Sequence, residues 1–162
     1  MKIEDFDIKK YLDLSGYDND IRKNRRKGND GSNEFFTPYP IVKYMSERIS
    51  EDDWKDPNKT FMDPTAGNGQ FILYIIYNRL KHGINWQTAL ETCYGVELMQ
   101  DNVDECKGRV IDLLNALDIA FSEKTAREIM DYNLVCHDFF TWNFEEWRPY
   151  TEDELKKINK KK

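Results

Sequence analysis

Short apolar runs alternate with longer helical patterns along the chain. The apolar runs cover residues 60–63, 93–98 and 132–137, and we interpret each as a buried strand. Residues 70–82 and 102–117 carry apolar positions at helical spacing, and each helix connects two of the strands. Because strands that alternate with helices form parallel sheets, the pattern predicts an α/β fold with a short parallel sheet flanked by helices.

Shorter helices surround this pattern. Pro38 and Pro40 predict an extended segment over residues 35–40, because a residue before proline avoids the helical region. Apolar residues then recur at helical spacing and predict an amphipathic helix, at Ile41, Val42, Met45 and Ile49. Two further helical segments are expected, near residues 8–14 and at 86–91. Three more are expected after capping residues: from Ser50 through 54, from Ser122 through 130, and after the capping box at 151–154.

Length and composition favour one folded domain. The 162 residues are 40% hydrophobic, which argues against a disordered chain. We divide them into a polar N-terminal arm (1–33), a globular domain (34–150) and a lysine-rich C-terminal helix or tail (151–162). The longest apolar stretch, residues 71–77, is too short to cross a bilayer, and the N-terminus lacks the apolar core of a signal peptide.

The cysteines indicate a reducing compartment. Cys93, Cys106 and Cys136 are odd in number and show no CxxC spacing, so we expect free thiols in a cytoplasmic protein that is not bound to a membrane. The only two histidines, His82 and His137, do not complete a metal-ligand set with these cysteines. We therefore assign no metal.

The charge pattern leaves the question of nucleic acid open. A net charge of −6 is not typical of a protein that binds nucleic acid on its own. A basic cluster nevertheless stands at Arg22, Lys23, Arg25, Arg26 and Lys27. A solvated loop and a contact with DNA phosphates are both compatible with this cluster.

The segment FMDPTAGNGQF, residues 61–71, contains the most specific motif. It joins the first predicted strand to its helix at the carboxyl end of the strand, where open α/β sheets bind ligands. Gly67 and Gly69 allow positive φ and a close approach of a ligand to the backbone. No Gly-Lys-Ser/Thr follows, which rules out a P-loop, and Ile72 stands where a dinucleotide fingerprint has its third glycine. A structural turn and a site for a ligand without phosphate are the alternatives.

A carboxylate lies at the end of each predicted strand. Asp63 at the first strand suits a cationic amino-acid group, and Glu97 at the second suits a ribose diol. Asp138 at the third can accept a hydrogen bond from an adenine amino group, and the adjacent Phe139 can stack on the ring. Together they point to a ligand that contains an ammonium group, a sugar and an adenine.

With these residues together, the chain resembles the S-adenosylmethionine-dependent adenine-N6 DNA methyltransferases of restriction–modification systems, in their cofactor-binding half. The matching residues, in the order of that family, are Phe35-Phe36-Thr37-Pro38, then DPTAGNGQF at 63–71, then Glu97, then Asp138-Phe139. The resemblance covers residues 33–140 and implies a truncated Rossmann-like methyltransferase core over the 34–150 domain. It also implies S-adenosyl-L-methionine as the cofactor.

The same resemblance implies a role for each matching residue. The Phe-Thr-Pro segment lies over the methionine part of the cofactor, Asp63 and the loop amides hold that part, Glu97 holds the ribose, and Asp138 with Phe139 holds the adenine. The implied cofactor contacts are Phe36, Thr37, Pro38, Asp63, Pro64, Ala66, Gly67, Gly69, Phe71, Glu97, Leu98, Asp138 and Phe139.

The catalytic element of that family, Asp/Asn-Pro-Pro-Tyr/Phe, does not occur in these 162 residues. In that family it accepts hydrogen bonds from the target amino group and stacks an aromatic ring on the flipped base. Three functions therefore stay open: the cofactor-binding part of a DNA methylase, a non-catalytic cofactor-binding or regulatory protein, and an enzyme that consumes S-adenosylmethionine.

The resemblance also predicts an exposed sheet edge. The first strand is central in that family, whereas here it would lie at the edge with unpaired backbone groups. We expect the edge to be covered by local chain, by residues 140–150 as an atypical strand, or by a partner chain or a second copy.

Overall fold

The computed structural model describes residues 3–13 and 36–159. The helices are α1 (Ile8–Tyr11), α2 (Tyr39–Ser46), α3 (Glu51–Lys55), α4 (Gln70–Lys81), α5 (Trp86–Glu91), α6 (Gln100–Ala116), α7 (Glu123–Asn133) and α8 (Glu152–Asn159), with 3-10 turns at Ile3–Asp5 and Phe139–Thr141. The strands are β1 (Phe61–Asp63), β2 (Cys93–Glu97), β3 (Leu134–Cys136), β4 (Trp142–Asn143) and β5 (Arg148–Pro149). The predicted basic cluster at residues 22–27 lies outside the described residues.

Strands β1, β2 and β3 form a parallel sheet in that order. Phe61 pairs with Cys93, and Gly95 pairs with both Asp63 and Leu134. Helix α4 connects β1 to β2 within the core, and most of its residues are buried. The α/β prediction with a short parallel sheet and flanking helices is therefore confirmed.

The predicted helix caps are confirmed where the structure describes them. The hydroxyls of Ser50, Ser122 and Thr151 each accept a hydrogen bond from the backbone N–H three residues ahead, at 3.1, 3.2 and 3.4 Å. Glu154 returns the interaction by accepting from the N–H of Thr151 at 2.7 Å, which completes the capping box that starts α8. These side chains satisfy N–H groups that have no partner within their own helix.

Two predictions about local structure were wrong in part. The extended segment ends at Pro38 rather than Pro40, because proline is tolerated in the first turn of a helix and α2 begins at Tyr39. Residues 132 and 133, assigned to the third strand, complete α7 instead. In α2 itself, Val42 is inaccessible whereas Ile41 and Met45 are 49% and 53% exposed.

The two faces of the sheet are covered by different elements. On one face, a β-carbon added at Gly95 would lie 3.3 Å from Ile72 of α4, so α4 packs closely against β2. Tyr94 points to the opposite face, since side chains alternate along a strand. Its ring packs edge-on against Trp147 at 4.8 Å, and the Trp147 indole N–H donates to the carbonyl of Tyr132 at 2.7 Å. The turn that joins β4 to β5 therefore packs on this second face at Tyr94.

Strand β1 lies at the edge of the sheet within the described residues. The N–H of Phe61 donates to the carbonyl of Thr92, just before β2, at 2.8 Å. Because successive residues of a strand direct their backbone groups to opposite sides, the N–H and C=O of Met62 point away from β2. A groove of about 260 Å³ runs beside this edge, lined by Met45, Ile49, Met62, Phe71 and Ile75 among others. Residues 140–150 do not cover it, because β4 and β5 pair with each other, and that prediction was wrong.

Among residues 3–13 and 36–159, no helix is long and apolar enough to span a membrane.

Arg79 of α4 is a fully buried cation that joins three elements. Its Nη1 donates to the carbonyls of Asp53, Trp54 and Asp56 at 3.3, 2.9 and 2.6 Å, and its Nη2 donates to Thr92 Oγ1 at 3.3 Å. Burial lowers the pKa of the guanidinium, and the nearby Asp56 opposes that shift. The side chain thus closes the end of α3 and fixes it to the segment that enters β2.

We expect Arg79→Met to lower the free energy of unfolding by about 2–4 kcal/mol, because it leaves buried carbonyls without a donor. Urea unfolding measures this change. The control is Arg127→Met on α7, which removes only a surface ion pair with Glu123 and should cost less than about 0.5 kcal/mol. An equal loss for the two variants would show that the Arg79 contacts add nothing to stability.

Candidate functional site

The parallel sheet brings the predicted carboxylates to one edge. Asp63 ends β1, Glu97 ends β2, and Asp138 follows β3 by two residues. Because the three strands run in the same direction, all three residues lie at the carboxyl edge of the sheet. The glycine loop, residues 64–69, lies at the same edge between β1 and α4.

The glycine loop depends on both of its glycines. Gly67 and Gly69 have φ of 53° and 91°, a region that side chains disfavour. A β-carbon on Gly69 would lie 2.4 Å from Cys106 Sγ, so α6 can approach the loop only when this residue is glycine. The loop is fixed to the sheet because the N–H of Ala66 donates to the carbonyl of Val96 at 2.9 Å.

Glu97 bridges the glycine loop and the start of α6. Its Oε2 accepts from the N–H of Gly67 at 2.9 Å. Its Oε1 accepts from the N–H of Met99 at 3.0 Å and from Nδ2 of the buried Asn102 at 3.3 Å. Three donors therefore fix this half-buried carboxylate in place, and hydrogen bonds to a charged acceptor are among the stronger ones in proteins.

Asp63 is a carboxylate in an environment that disfavours its charge. Burial raises its pKa, a hydrogen bond from the N–H of Thr65 at 3.0 Å opposes the shift, and repulsion from Glu97 raises the pKa further. Two carboxylates that repel each other at one edge form a site that favours a cation. Such a pair can bind an ammonium or sulfonium group.

The Phe36-Thr37-Pro38 segment contacts the glycine loop. A β-carbon added at Gly67 would lie 3.4 Å from Cδ1 of Phe36, which places that ring against the loop. The carbonyl of Thr37 accepts a hydrogen bond from Gln70 Nε2 at 3.1 Å, directly after the loop. Pro38 is exposed and precedes α2. The structure therefore brings this segment and the loop together.

The residues after β3 form an exposed rim. Asp138 Oδ1 accepts from the N–H of Phe140 at 2.9 Å and caps the 3-10 turn that follows. The ring of Phe139 packs against Phe140 and Phe144 with centroids 5.2 and 5.1 Å apart. Leu98, which follows β2, is also exposed, and its carbonyl accepts from the thiol of Cys136 at 3.4 Å.

Two predicted contacts lie on another side of the loop. Phe71 and Pro64 line the groove beside β1, together with Asp63. Ala66, Gly67 and Glu97 instead enclose a cavity of only about 10 Å³. That volume holds about one water molecule, so a larger ligand at this position requires the Glu97–Gly67 hydrogen bond to open.

Sequence analysis missed three polar residues at this site. Asn102 holds Glu97, Gln70 donates to the carbonyls of Leu12 and Thr37 outside the loop, and Arg109 donates to the carbonyl of Asn68 within it. Gln70 could have been noticed as a polar residue between Gly69 and the apolar run that follows. No pattern in the sequence marks the other two, because Arg109 reaches a loop carbonyl 41 residues away and the contact of Asn102 depends on the turn between β2 and α6.

We expect Asp63→Asn to raise the free energy of unfolding at neutral pH, because it removes a charge that burial and Glu97 disfavour. A carboxyl with a raised folded pKa destabilises the fold above that pKa, and the penalty disappears below its unfolded pKa near 4. Urea unfolding should therefore show a gain that shrinks as the pH is lowered through this range. Asp104→Asn on the exposed side of α6 is the control and should show no such pH-dependent gain. A pH-independent difference for Asp63→Asn would contradict this interpretation.

Comparison with known proteins agrees with this arrangement. The family model for N-6 DNA methylases matches residues 16–111, more than half of the chain. The match contains the glycine loop and Glu97 and ends before Asp138. No curated protein and no solved structure matches the chain. With the glycine loop and two strand-end carboxylates inside the matched region, the chain belongs to the N-6 DNA methylase family.

Proposed function

We propose that this chain is the S-adenosylmethionine-binding part of an adenine-N6 DNA methyltransferase of the restriction–modification type. Its three-stranded sheet is then part of a Rossmann-like methyltransferase core, and residues 34–150 are the cofactor-binding domain between a polar arm (1–33) and a lysine-rich tail (151–162). The convergence of Asp63, the glycine loop and Glu97 at one sheet edge supports the proposal, because these residues lie in the matched region.

The residues present fit the chemistry of this cofactor. Asp63 and Glu97 provide negative charge for the cationic methionine part, and the backbone around Gly67 and Gly69 allows close approach. Glu97 can exchange the N–H of Gly67 for ribose hydroxyls while Met99 and Asn102 continue to orient it. When bound, the cofactor supplies the methyl group for transfer.

The remaining predicted contacts take the outer parts of the cofactor. Phe36 lies next to Gly67, and together with Thr37 and Pro38 it would cover the methionine part. Asp138 can accept from the adenine amino group if its bond to Phe140 is shared or exchanged, and Phe139 offers an exposed ring for stacking. Ala66 and Leu98 add apolar surface beside the ribose and adenine positions.

Transfer to DNA needs an element that these 162 residues do not contain. The family's Asp/Asn-Pro-Pro-Tyr/Phe motif is absent from the sequence. We propose that a separate partner chain supplies this element. We also propose that this partner or a second copy covers the edge of β1, since the groove there is lined by Asp63 of the cofactor site as well as by Met62. Contact of Arg22, Lys23, Arg25, Arg26 and Lys27 with DNA phosphates is part of the same proposal.

The thiols support a reducing compartment. Cys93, Cys106 and Cys136 form no disulfide, and burial raises the pKa of the first two, so they remain protonated. An enzyme that modifies DNA would act in the same compartment, and we place its function in the cytoplasm.

Calorimetry with S-adenosylmethionine tests cofactor binding. We expect the folded chain to bind it and Glu97→Ala to weaken binding by about ten- to a hundredfold, because a hydrogen-bonded charged acceptor is lost. Glu97→Gln keeps one acceptor and should lie between the two. The control Glu128→Ala removes a carboxylate on the exposed surface of α7 and should bind like the unchanged chain. A folded chain that does not bind the cofactor would overturn the proposal.

Incubation with DNA tests the need for a catalytic partner. We expect the chain alone to bind S-adenosylmethionine without methylating DNA, because the element that holds the target base is missing from it. Mass spectrometry of digested nucleosides detects N6-methyladenine directly. Its appearance with the chain alone would contradict the need for a partner, and loss of the cofactor without a methylated base would favour an enzyme that consumes it.

A further inference from the structure

Gln70 occupies an unusual position for a glutamine. It is the first residue of α4, directly after the glycine loop, yet it is only 3% exposed. Its Nε2 donates to the carbonyl of Leu12 and to the carbonyl of Thr37, both at 3.1 Å. Its Oε1 accepts from Arg109 Nη2 at 2.8 Å. A buried amide must satisfy both its donors and its acceptor, and Gln70 does so with three separate chain segments.

Arg109 of α6 extends these contacts to the glycine loop. While Nη2 binds Gln70, Nη1 donates to the carbonyl of Asn68 at 2.9 Å. The carbonyl of Arg109 in turn accepts from the hydroxyl of Tyr11 at 2.8 Å. Burial and the nearby Asp112 raise the pKa of Tyr11 to about 12, so its hydroxyl remains a donor at neutral pH. Helix α1 is therefore attached to both Gln70 and Arg109.

These contacts converge on the backbone beside Phe36. Thr37, which binds Gln70, follows Phe36 directly, and the Phe36 ring lies against Gly67. Asn68, which binds Arg109, follows Gly67 directly. Gln70 thus binds the segment that contains Phe36, and Arg109 binds the glycine loop. Because the two side chains also bind each other, they fix these two segments relative to one another, although the segments are about 30 residues apart in sequence.

We propose that Gln70 and Arg109 are positioning residues that hold Phe36 over the glycine loop and so set the affinity for the amino-acid part of the cofactor. The inference rests on the proposed function, since it assumes that the loop binds the methionine part of S-adenosylmethionine. It goes further by assigning a role to Arg109, which lies outside every motif quoted for the chain, and to Gln70, which the glycine-loop motif contains without a role of its own. Neither residue needs to touch the cofactor, because each acts through the backbone.

Ligand selectivity separates this role from a purely structural one. We use S-adenosylmethionine and 5′-methylthioadenosine, which retains the adenine and ribose but lacks the amino-acid part. Gln70→Met keeps the volume and helix propensity but removes the amide, and should weaken S-adenosylmethionine binding about tenfold. Binding of 5′-methylthioadenosine should change less than about twofold, because Glu97 and Asp138 are not affected.

Matched variants complete the experiment. Gln87→Met removes an exposed glutamine that contacts only Glu91 of its own helix, and should alter neither affinity. Arg109→Lys keeps the charge but loses the planar guanidinium that donates to both Asn68 and Gln70. It should reproduce the selective loss of affinity if Gln70→Met fails to fold. Phe36→Ala should weaken S-adenosylmethionine binding, and adding Gln70→Met to it should have little further effect, because both act through the same ring.

The outcomes separate this inference from the function on which it rests. A selective loss for Gln70→Met or Arg109→Lys, together with non-additivity with Phe36→Ala, would support positioning. Equal losses for both ligands, additive effects with Phe36→Ala, or unchanged affinity would overturn it while cofactor binding by the unchanged chain stands. Failure of the folded, unchanged chain to bind S-adenosylmethionine would overturn the proposed function and this inference with it.

Discussion

The close contact between α6 and the glycine loop is the constraint on which the rest of the site depends. It exists because Gly69 has no side chain, so that Cys106 occupies the space where a β-carbon would be. At this distance two other residues of α6 reach the site: Asn102 binds Glu97, and Arg109 binds the loop carbonyl at Asn68. A single missing side chain therefore allows one helix to orient both a carboxylate and the loop.

The ends of the parallel strands then supply the charges. Asp63 and Glu97 lie on neighbouring strands, and their repulsion is tolerated because backbone N–H groups donate to each of them and the Asn102 amide donates to Glu97 as well. In the structure Glu97 uses the loop N–H as one of its donors, so the site is hydrogen-bonded internally. A ligand must compete with this bond, and its hydroxyls can replace the N–H with little net change in the number of hydrogen bonds.

Most of the fold could be predicted from local sequence patterns, namely apolar spacing and capping residues. Helix α5 was predicted with its observed bounds, and the three parallel strands were found because each is a short apolar run next to a helical pattern. Long-range partners were not predictable: Gln70 and Arg79 are buried polar residues whose acceptors lie about 20 to 60 residues away. Helical spacing also located α2, although it carries no information on burial, and Ile41 and Met45 are exposed. Asn133 shows a similar limit, because its amide binds the carbonyls of Leu90 and Glu91 and keeps this residue in α7.

The shortness of β1 has a consequence for how the chain behaves by itself. An exposed strand edge is a template for aggregation, because each outward N–H and C=O can pair with a foreign chain. With three residues in β1, only Met62 presents both groups outward, so an unrelated strand gains few hydrogen bonds there. The association proposed at this edge would draw its free energy from side chains that fill the adjacent groove. Selectivity for a partner would then depend on the shape of this groove, which is specific to the chain, rather than on backbone groups, which all proteins share.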